Sequence, residues 1–399
     1  MRSPSRPMLL TALAATLAPS AALAQATDGG VIFDNRIRYE AVEQDGLEDA
    51  HALTVRTRFG WKSPVRSDFQ ILVEGEAVGA LVDDYNDTIH GPPGQAVVAD
   101  PETFELNRAQ IAWTGLPDTE VIIGRQRLIL DNARFVGNVG FRQNEQTFDA
   151  VTVRTTALKP ATLTWIYVDH VHRIFGDDSA VGDWESDSHL INLAVPTPVG
   201  RLTGYGYLLD LDDAPILSSA TWGARLAGSR PLSESLTTNW TFEYARQTEH
   251  GDNPFDFATD YVLASAGLTR GPLSGALAFE RLGEDGGRAF QTPLATLHAF
   301  QGWADVFLTT PPNGLRDVSA TVSYAVASPP VGRSLLLTAA WRDFAEADGS
   351  TRYGRELDLS ARAVLTARWA AELKTAWFDG AQPAFADRTK VWLSLEYNF

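Results

Sequence analysis

Eighteen segments of this chain alternate apolar and polar side chains with a period of two residues, and this alternation restricts the fold more than any other feature. Successive side chains of a strand point to opposite faces, so each segment predicts a strand with one apolar and one mostly polar face. The predicted strands span about residues 31–41, 49–61, 67–79, 102–114, 119–128, 147–157, 161–171, 187–195, 199–211, 219–229, 236–249, 258–269, 273–283, 315–327, 333–345, 353–365, 368–378 and 388–399.

The connections between these strands alternate in length. Even-numbered strands are followed by short turns with the sequences KSPVR, GLPDT, LKP, TPV, PLSES, RGP, SPPVG and TAR. Odd-numbered strands are followed by longer polar loops, the longest being residues 82–101, 128–146 and 283–314. This asymmetry is typical of outer-membrane barrels, whose short turns face the periplasm. We therefore predict a single all-β domain over residues 27–399, a transmembrane antiparallel barrel of about 18 strands integral to the bacterial outer membrane.

The N-terminal residues predict export from the cytoplasm. Arg2 and Arg6 precede a short apolar run and then small residues, a pattern that indicates a signal peptide over residues 1–26 with cleavage after Ala24 or Ala26. No later stretch contains eighteen consecutive apolar residues, so no membrane-spanning helix is expected. The chain has no cysteine, so its stability must come from burial or from the membrane and not from disulfides. Its formal charge of −17 disfavours nucleic-acid binding.

The C-terminal segment, residues 388–399, fits a closed barrel. If the last strand pairs with the first, its backbone edge is satisfied and its apolar face meets lipid. Phe399 is then expected in the aromatic girdle at the periplasmic interface, and an aromatic C-terminus also resembles the signal that barrel-assembly machinery recognises. The alternative is a soluble β-sandwich, but the chain is too long for one sandwich and shows no linker between two.

The polar parity of the strands predicts the lining of the lumen. Arginines concentrate on the first, second, fourth, fifth and sixth strands, whereas acids concentrate on the third and on the eleventh to seventeenth. Such separation predicts a positive wall along which anions pass, although a mixed lumen without a dedicated substrate is the alternative. The basic candidates are Arg36, Arg38, Arg56, Arg58, Arg108, Arg125, Arg154, Arg225, Arg342, Arg362, Lys374 and Lys390. The acidic candidates are Asp34, Glu40, Glu74, Glu76, Glu243, Glu280, Asp317, Glu356, Asp358 and Glu372.

Two blocks of sequence resemble the alginate-export family of outer-membrane proteins. Residues 121–155 contain a GRQ, a later R-x-x-G and a TFD that opens the next strand, and residues 300–324 contain an aspartate, a TP turn and a Gly-Leu before a strand. The positions that match the two blocks are Arg125, Gln126, Arg134, Arg142, Asp149, Asp305, Gly314 and Leu315. The resemblance implies passive export of an anionic polysaccharide through an arginine-lined constriction.

Two long loops are predicted to form that constriction. We expect them to fold inward so that Arg134 and Arg142 join Arg56, Arg58, Arg108, Arg125, Gln126 and Arg154 around an anionic sugar. Asp149 and Asp305 are expected to anchor the loops to the wall. The chain lacks the long periplasmic loop of a regulated exporter, so a general or small-acid-specific porin for uptake, and a plugged structural barrel, remain alternatives.

Other candidate sites are weak. His170 and His172 share a face but lack a third ligand for a metal, and the acidic run at residues 83–87 lacks a calcium-loop pattern. No serine and histidine are placed together for hydrolysis. We therefore predict no cofactor, no metal and no catalytic residue. The expected partners are outer-membrane lipid and lipopolysaccharide, the barrel-assembly machinery and the anionic sugar.

Overall fold

The computed structural model describes residues 29–399, so the predicted signal peptide lies outside the described residues. Eighteen antiparallel strands form one sheet in which each strand pairs with the next along the chain. The last strand pairs with the first over eleven residue pairs, which closes the sheet into a barrel. The predicted 18-stranded antiparallel barrel is thereby confirmed.

The strand bounds agree closely with the alternating segments. The barrel strands are β1 (Gly30–Gln44), β2 (Ala50–Lys62), β3 (Phe69–Asp84), β4 (Thr103–Leu116), β5 (Thr119–Gln126), β6 (Thr147–Thr155), β7 (Thr162–His172), β8 (Asp183–Thr197), β9 (Gly200–Leu209), β10 (Ser219–Ser233), β11 (Leu236–Glu249), β12 (Ala258–Arg270), β13 (Leu273–Leu282), β16 (Leu315–Val326), β17 (Ser334–Ala345), β18 (Arg352–Val364), β19 (Trp369–Gly380) and β20 (Arg388–Asn398). A small hairpin, β14 (Glu284–Asp285) and β15 (Arg288–Ala289), lies within one loop. Two short 3₁₀ turns occur at Pro215–Leu217 and Leu297–Ala299. Over residues 29–399, no helix is long and apolar enough to cross a membrane.

The two faces of the sheet differ as the alternation predicts. On β20, Leu393 and Leu395 are exposed on the outer face, whereas Lys390 and Trp392 are buried on the inner face. Similar exposed apolar residues occur on the outer face of other strands, for example Phe242, Val322 and Trp341. An apolar outer surface on a closed barrel suits contact with lipid, and closure pairs every barrel strand with a neighbour along both edges.

The connections at the two ends of the barrel differ in their greatest length: those at one end reach 32 residues and those at the other end do not exceed seven. The connections at one end are residues 45–49, 85–102, 127–146, 173–182, 210–218, 250–257, 283–314, 346–351 and 381–387, and those at the other end are residues 63–68, 117–118, 156–161, 198–199, 234–235, 271–272, 327–333 and 365–368. The first set contains the longest loops, so we take that end as extracellular.

The C-terminal residues lie at the short-turn end, where they were predicted. The backbone N–H of Phe399 donates a 3.0 Å hydrogen bond to the carbonyl of Phe33 on β1. The Tyr397 ring packs 4.9 Å from that of Trp369, and the Arg368 guanidinium lies 4.5 Å from the Phe399 ring centroid. This cluster of rings at the edge of the apolar band matches an interfacial aromatic girdle.

The closing seam can be tested with a disulfide, because the chain contains no cysteine of its own. Ile37 and Leu395 are directly opposite each other across β1 and β20, so the variant I37C/L395C should cross-link almost completely on mild oxidation. In the control I37C/A371C the second cysteine is one strand further away, since Ala371 is opposite Leu395, and no cross-link should form. Gel mobility under non-reducing conditions reads the result, and cross-linking in the control alone would contradict the register.

Candidate functional site

Two of the long loops fold into the barrel. We call residues 127–146 the first inner loop and residues 283–314 the second inner loop. They pair with each other through backbone hydrogen bonds, from Gly137 N–H to the Leu294 carbonyl at 2.8 Å and from Thr296 N–H to the Ala133 carbonyl at 3.0 Å. The inward folding of both loops was predicted, and their contacts with inward-facing strand residues, given below, place them in the lumen.

Apolar side chains explain why these loops leave the solvent. Phe135 in the first inner loop lies 5.9 Å from the Phe290 ring in the second, and both residues are buried. Phe135 also packs against Tyr205 and Tyr261, inward-facing residues of β9 and β12, at 5.4 and 5.3 Å. Removing such rings from water stabilises the folded loops, and edge-to-face packing adds to this effect.

Arg142 is the centre of a buried ion network that joins both loops to the wall. Its guanidinium lies 3.2 Å from a carboxylate oxygen of Glu40 on β1 and 2.8 Å from one of Asp305 in the second inner loop. The ammonium of Lys390 on β20 lies 3.0 Å from each of the same two carboxylates. We call these four residues the Arg142 network. Two cations alternate with two carboxylates, so no member is left as an uncompensated buried charge.

The network changes the protonation chemistry of its loop members. Burial alone would raise the pKa of the Asp305 carboxyl, but His298, Lys390 and Arg142 together hold this pKa well below its ordinary value. Burial opposes ionisation of Arg142, yet Glu40 and Asp305 raise the pKa of its guanidinium. Both groups are therefore charged at neutral pH, and their attraction acts in a site with little water.

His298 extends the network to β19. Its Nδ1 lies 2.6 Å from a carboxylate oxygen of Asp305, and its Nε2 lies 2.5 Å from the ammonium of Lys374. The ring of Phe141 stacks on the imidazole at 3.4 Å. Burial lowers the pKa of His298 to about 3, against the opposing effect of Asp305. The imidazole is therefore neutral, with Nδ1–H donating to Asp305 and Nε2 accepting from Lys374.

Arg134 fixes the two loops to the opposite part of the wall. Its guanidinium donates to Glu280 on β13 at 2.6 Å and to the Thr292 hydroxyl at 2.8 Å. The Phe300 ring lies 4.8 Å from the same guanidinium. Arg134 and Arg142 were predicted to contact an anionic sugar, but in the structure both are buried and bonded to carboxylates of the protein.

The predicted basic wall is paired in the same way. Arg108 donates two hydrogen bonds to Glu74, at 2.8 and 2.6 Å, and Arg58 bonds Glu76 and lies 3.6 Å from Glu145 of the first inner loop. Further pairs on this side of the lumen are Arg56 with Asp34, Arg38 with Asp100 and Arg127 with Glu145. Arg36 instead holds the first inner loop, by donating to Gln143 at 2.8 Å and to the carbonyl of Gly140 at 3.1 Å.

The predicted acidic wall is covered by the second inner loop. Glu356 on β18 accepts a 2.9 Å hydrogen bond from the backbone N–H of Ala304. Arg342 on β17 lies 2.5 Å from Asp317 and 3.6 Å from Asp358. Strand acids thus lie beside the arginines of the predicted basic wall, and Arg342 lies among the acids of the predicted acidic wall, so protein groups neutralise much of each wall.

The prediction that Arg125 faces the lumen is wrong. It shares its parity on β5 with Ile123, which is exposed on the outer face, and its guanidinium donates to the carbonyl of Leu106, also exposed on that face. Arg125 forms a bidentate pair with Asp149, at 2.9 and 3.0 Å. The position is one residue from the inward-facing Gln126, which shows how a shift of one residue reverses a side chain.

Three other predicted residues make wall contacts. Gln126 donates to the Ala150 carbonyl at 2.9 Å and accepts from the Thr152 hydroxyl at 2.8 Å, so it braces β5 against β6. Asp149 contacts Arg125 and His172, which joins strands β5, β6 and β7 and does not anchor a loop. Arg154 is opposite Glu120 near the short-turn end. Asp305 does make the contacts that loop anchoring requires.

Charges that remain accessible lie in the half of the lumen beyond the inner loops, towards the short turns. The Arg362 side chain is 42% exposed and lies 3.2 Å from Glu372 and 2.8 Å from Glu396, whose side chains are 27% and 20% exposed. Asp34 is exposed to a similar extent. Arg362, Glu372 and Asp34 were among the lumen candidates predicted from the sequence, whereas Glu396 was not. The sequence does not distinguish these exposed charges from the buried ion pairs, because both face the lumen with the same parity.

Comparisons with known proteins agree on the fold. The barrel superimposes on OccK9 (OpdG) of Pseudomonas aeruginosa with a TM-score of 0.74 at 15% identity, covering 93% of this chain and 99% of that one. It superimposes on OccAB3 of Acinetobacter baumannii with a TM-score of 0.71 at 12% identity, and on OpdQ of Pseudomonas aeruginosa with 0.69 at 13%, with the same two coverages in each case. The fold is that of an outer-membrane porin. No protein-family model and no curated protein matches the sequence.

The porin fold confirms part of what the sequence predicted. These matching structures are 18-stranded outer-membrane porins of the OprD family. Their fold agrees with the predicted location of this chain as an integral outer-membrane protein. Nothing in these comparisons supports alginate export in particular. In residues 29–399 no group of three or more potential metal ligands comes together, and His170 bonds Asp169.

Replacing Arg142 should release the inner loops. In R142M, Glu40 and Asp305 lose a cationic partner in a buried site, and breaking such a pair costs about 3–5 kcal/mol. We expect larger and noisier single-channel currents in a planar bilayer. The control R154M also removes one inward-facing charge, but far from both loops, and should leave the noise unchanged. Equal noise in both variants would contradict the anchoring role.

The loops should also loosen in acid. The pKa of His298 in the folded protein is about 3, below the ordinary value of 6.5. Between these two pH values the imidazole therefore binds a proton when the loops are released but stays neutral when they are folded. The stabilisation is complete above pH 6.5 and is lost as pH falls towards 3, by at most about 1.4 kcal/mol per pH unit. Current noise should rise between pH 6.5 and 5, where the carboxyl of Asp305 does not yet titrate. In H298N this rise should be absent, and an unchanged pH profile would contradict the assignment.

Proposed function

We propose that this protein is an outer-membrane porin for passive passage of small polar solutes, small carboxylic acids among them. The observation that carries the proposal is the pair of inner loops held across the lumen by the Arg142 network. The fold shared with outer-membrane porins supports the same conclusion.

The inner loops favour small solutes over polymers. A barrel of eighteen strands is wide enough for an aqueous channel when its lumen is empty. Here the first and second inner loops contact β1, β13, β18, β19 and β20, so they span the lumen and reduce its free section. A polysaccharide chain would have to displace them, and each buried ion pair that is broken costs about 3–5 kcal/mol.

The distribution of accessible charge also disfavours a polyanion. A recess of about 460 Å³ at the extracellular end of the barrel is lined by Asp45, Asp49 and Asp387 of the connecting loops, by Arg388, and by Glu43 and Asp379 at outward-facing positions of β1 and β19. A polyuronate would be repelled by these carboxylates. Beyond the loops, Arg362 lies beside Glu372 and Glu396, and such mixed charges can orient a small solute that carries a carboxylate or both signs of charge.

The resemblance to alginate exporters gains no support from the positions that carry it. Arg134 and Arg142 are occupied by protein carboxylates, and Arg125 lies on the outer face. Alginate export would require these arginines to be free for sugar carboxylates. The contacts favour the alternative of small-solute uptake.

Swelling of proteoliposomes tests the proposal. Vesicles containing the mature protein should admit small monocarboxylates and zwitterionic amino acids, and should exclude oligouronates longer than a few sugars. R362Q should lower the preference for anions roughly twofold, as expected for one partly exposed charge worth about 0.5 kcal/mol. R246Q, on the outer face, is the matched control and should have no effect. Entry of long oligouronates at the rate of small acids would overturn the proposal, and absence of any swelling would assign a plugged barrel.

A further inference from the structure

A cluster of arginines lies on the outer wall of the barrel, away from the lumen. Arg316 on β16 and Arg352 and Arg355 on β18 all contact one carboxylate, that of Asp343 on β17, at 3.4, 2.9 and 3.4 Å. Arg281 on β13 is directly opposite Arg316 across the strand pair. We call these five residues the outer arginine cluster.

The outer arginine cluster faces lipid. Arg316 is two residues from Val318, Asp343 is two residues from Trp341, and Arg355 is two residues from Leu357; each of these three apolar neighbours is exposed on the outer face. Alternate residues of a strand share a face, so the charged groups lie on the same side.

The depth of the cluster follows from its place along the strands. Its members lie at the ends of β13, β16, β17 and β18 that join the loops 283–314 and 346–351 at the extracellular end. This is the extracellular edge of the apolar band, where the acyl region of the outer leaflet gives way to headgroups.

The charge of the cluster is not balanced on the wall itself. Two other arginines on the outer face at this end pair with one acid each, Arg125 with Asp149 and Arg246 with Asp260. Asp343 is shared by three guanidinium groups. Asp379 is opposite Arg355 on the neighbouring strand, and Arg281 donates to the carbonyl of Ala347. Four guanidinium groups therefore meet two carboxylates on the lipid-facing wall.

Nearby acids belong mainly to the solvent side. Glu346 and Asp348 lie in the loop above the cluster, and Glu346 accepts hydrogen bonds from Asn313 and Ser350 at 2.6 Å each. Arg352 and Arg355 are about half exposed. The exposed guanidinium groups of Arg352 and Arg355 thus retain N–H donors for an anion from outside the chain.

We propose that the outer arginine cluster binds a phosphate group on the headgroup of an outer-leaflet glycolipid. Arginine suits this ligand because its planar fork donates two parallel hydrogen bonds to phosphate oxygens. Trp341, Leu357 and Trp377 lie one step deeper on the same face and are exposed, so they offer an apolar surface to acyl chains of the same molecule. Phosphate at the headgroup level and acyl chains below it match the order of groups on the wall.

Binding of a purified bis-phosphorylated glycolipid to the folded barrel in detergent tests the proposal. The double variant R316Q/R355Q should weaken binding about tenfold or more, because each basic residue near an anionic surface contributes about 1 kcal/mol. The matched control R246Q, whose arginine pairs with Asp260, should bind as the wild type does. If the double variant does not fold, as judged by heat-modifiable gel mobility, the single variant R355Q replaces it, since Arg355 is about half exposed.

Three further arms identify the ligand. The dephosphorylated glycolipid should bind as weakly to the wild type as the intact one does to the double variant. Inorganic phosphate should compete only poorly, since it lacks acyl chains, and a chelator should leave binding intact. Wild-type affinity in R316Q/R355Q would overturn the proposal. Equal binding of the dephosphorylated lipid, equally strong competition by inorganic phosphate, or loss of binding with chelator would overturn it as well, in favour of acyl contact, a free-anion site or cation bridging by the nearby carboxylates.

Discussion

Backbone hydrogen bonding in a medium without water is the constraint from which the rest of this structure follows. A strand at depth in a bilayer must bond its N–H and C=O groups to neighbouring strands, so the sheet must close. Here β20 pairs with β1 from Asp34 opposite Asn398 to Gln44 opposite Arg388, and no barrel strand is left with a free edge. Closure at eighteen strands creates a wide interior, and the remaining features of the molecule concern what fills it.

The interior is filled by loops, and buried ion pairs set their positions. Burial of Phe135 and Phe290 favours folding of the two inner loops into the lumen, but apolar packing alone would allow several loop conformations. The Arg142 network allows few loop conformations, because Arg142 and Lys390 must both contact Glu40 and Asp305. Buried ion pairs are weak sources of net stability, yet breaking one is costly, so they are suited to fixing a loop in one position.

Most of the fold could be predicted from the sequence, because strand faces and turn lengths are local properties. The strand from Leu236 to Glu249, for instance, has the predicted bounds. The inward folding of the two loops and the anchoring role of Asp305 were predicted, but the partners of Asp305 were not, since Arg142 and Lys390 meet it from distant parts of the chain. His298 carried no signal in the sequence at all. Arg125 was wrongly predicted to face the lumen, because a shift of one residue along a strand moves a side chain from the lumen to the lipid face.

The family resemblance has an architectural explanation. The GRQ and TFD segments pair with each other across β5 and β6, with Arg125 opposite Asp149 and Gln126 opposite Phe148. Their side chains bond strand to strand: Arg125 pairs with Asp149, and Gln126 bonds Ala150 and Thr152. Similar residues at these positions are therefore expected wherever two such strands must be joined below a long loop, whatever the pore conducts.

The inner loops limit the size of the solutes that can cross the barrel. The most direct measurement of this limit is the reaction of a single cysteine, E372C, with thiol reagents of increasing size added from the extracellular side, in a chain that has no other cysteine. D45C at the rim serves as the accessible control. Small charged reagents should modify both variants, whereas polymer-linked reagents should modify only D45C until Arg142 is also replaced. Modification of E372C by the largest reagents at the rate of D45C, with Arg142 intact, would contradict this size limit.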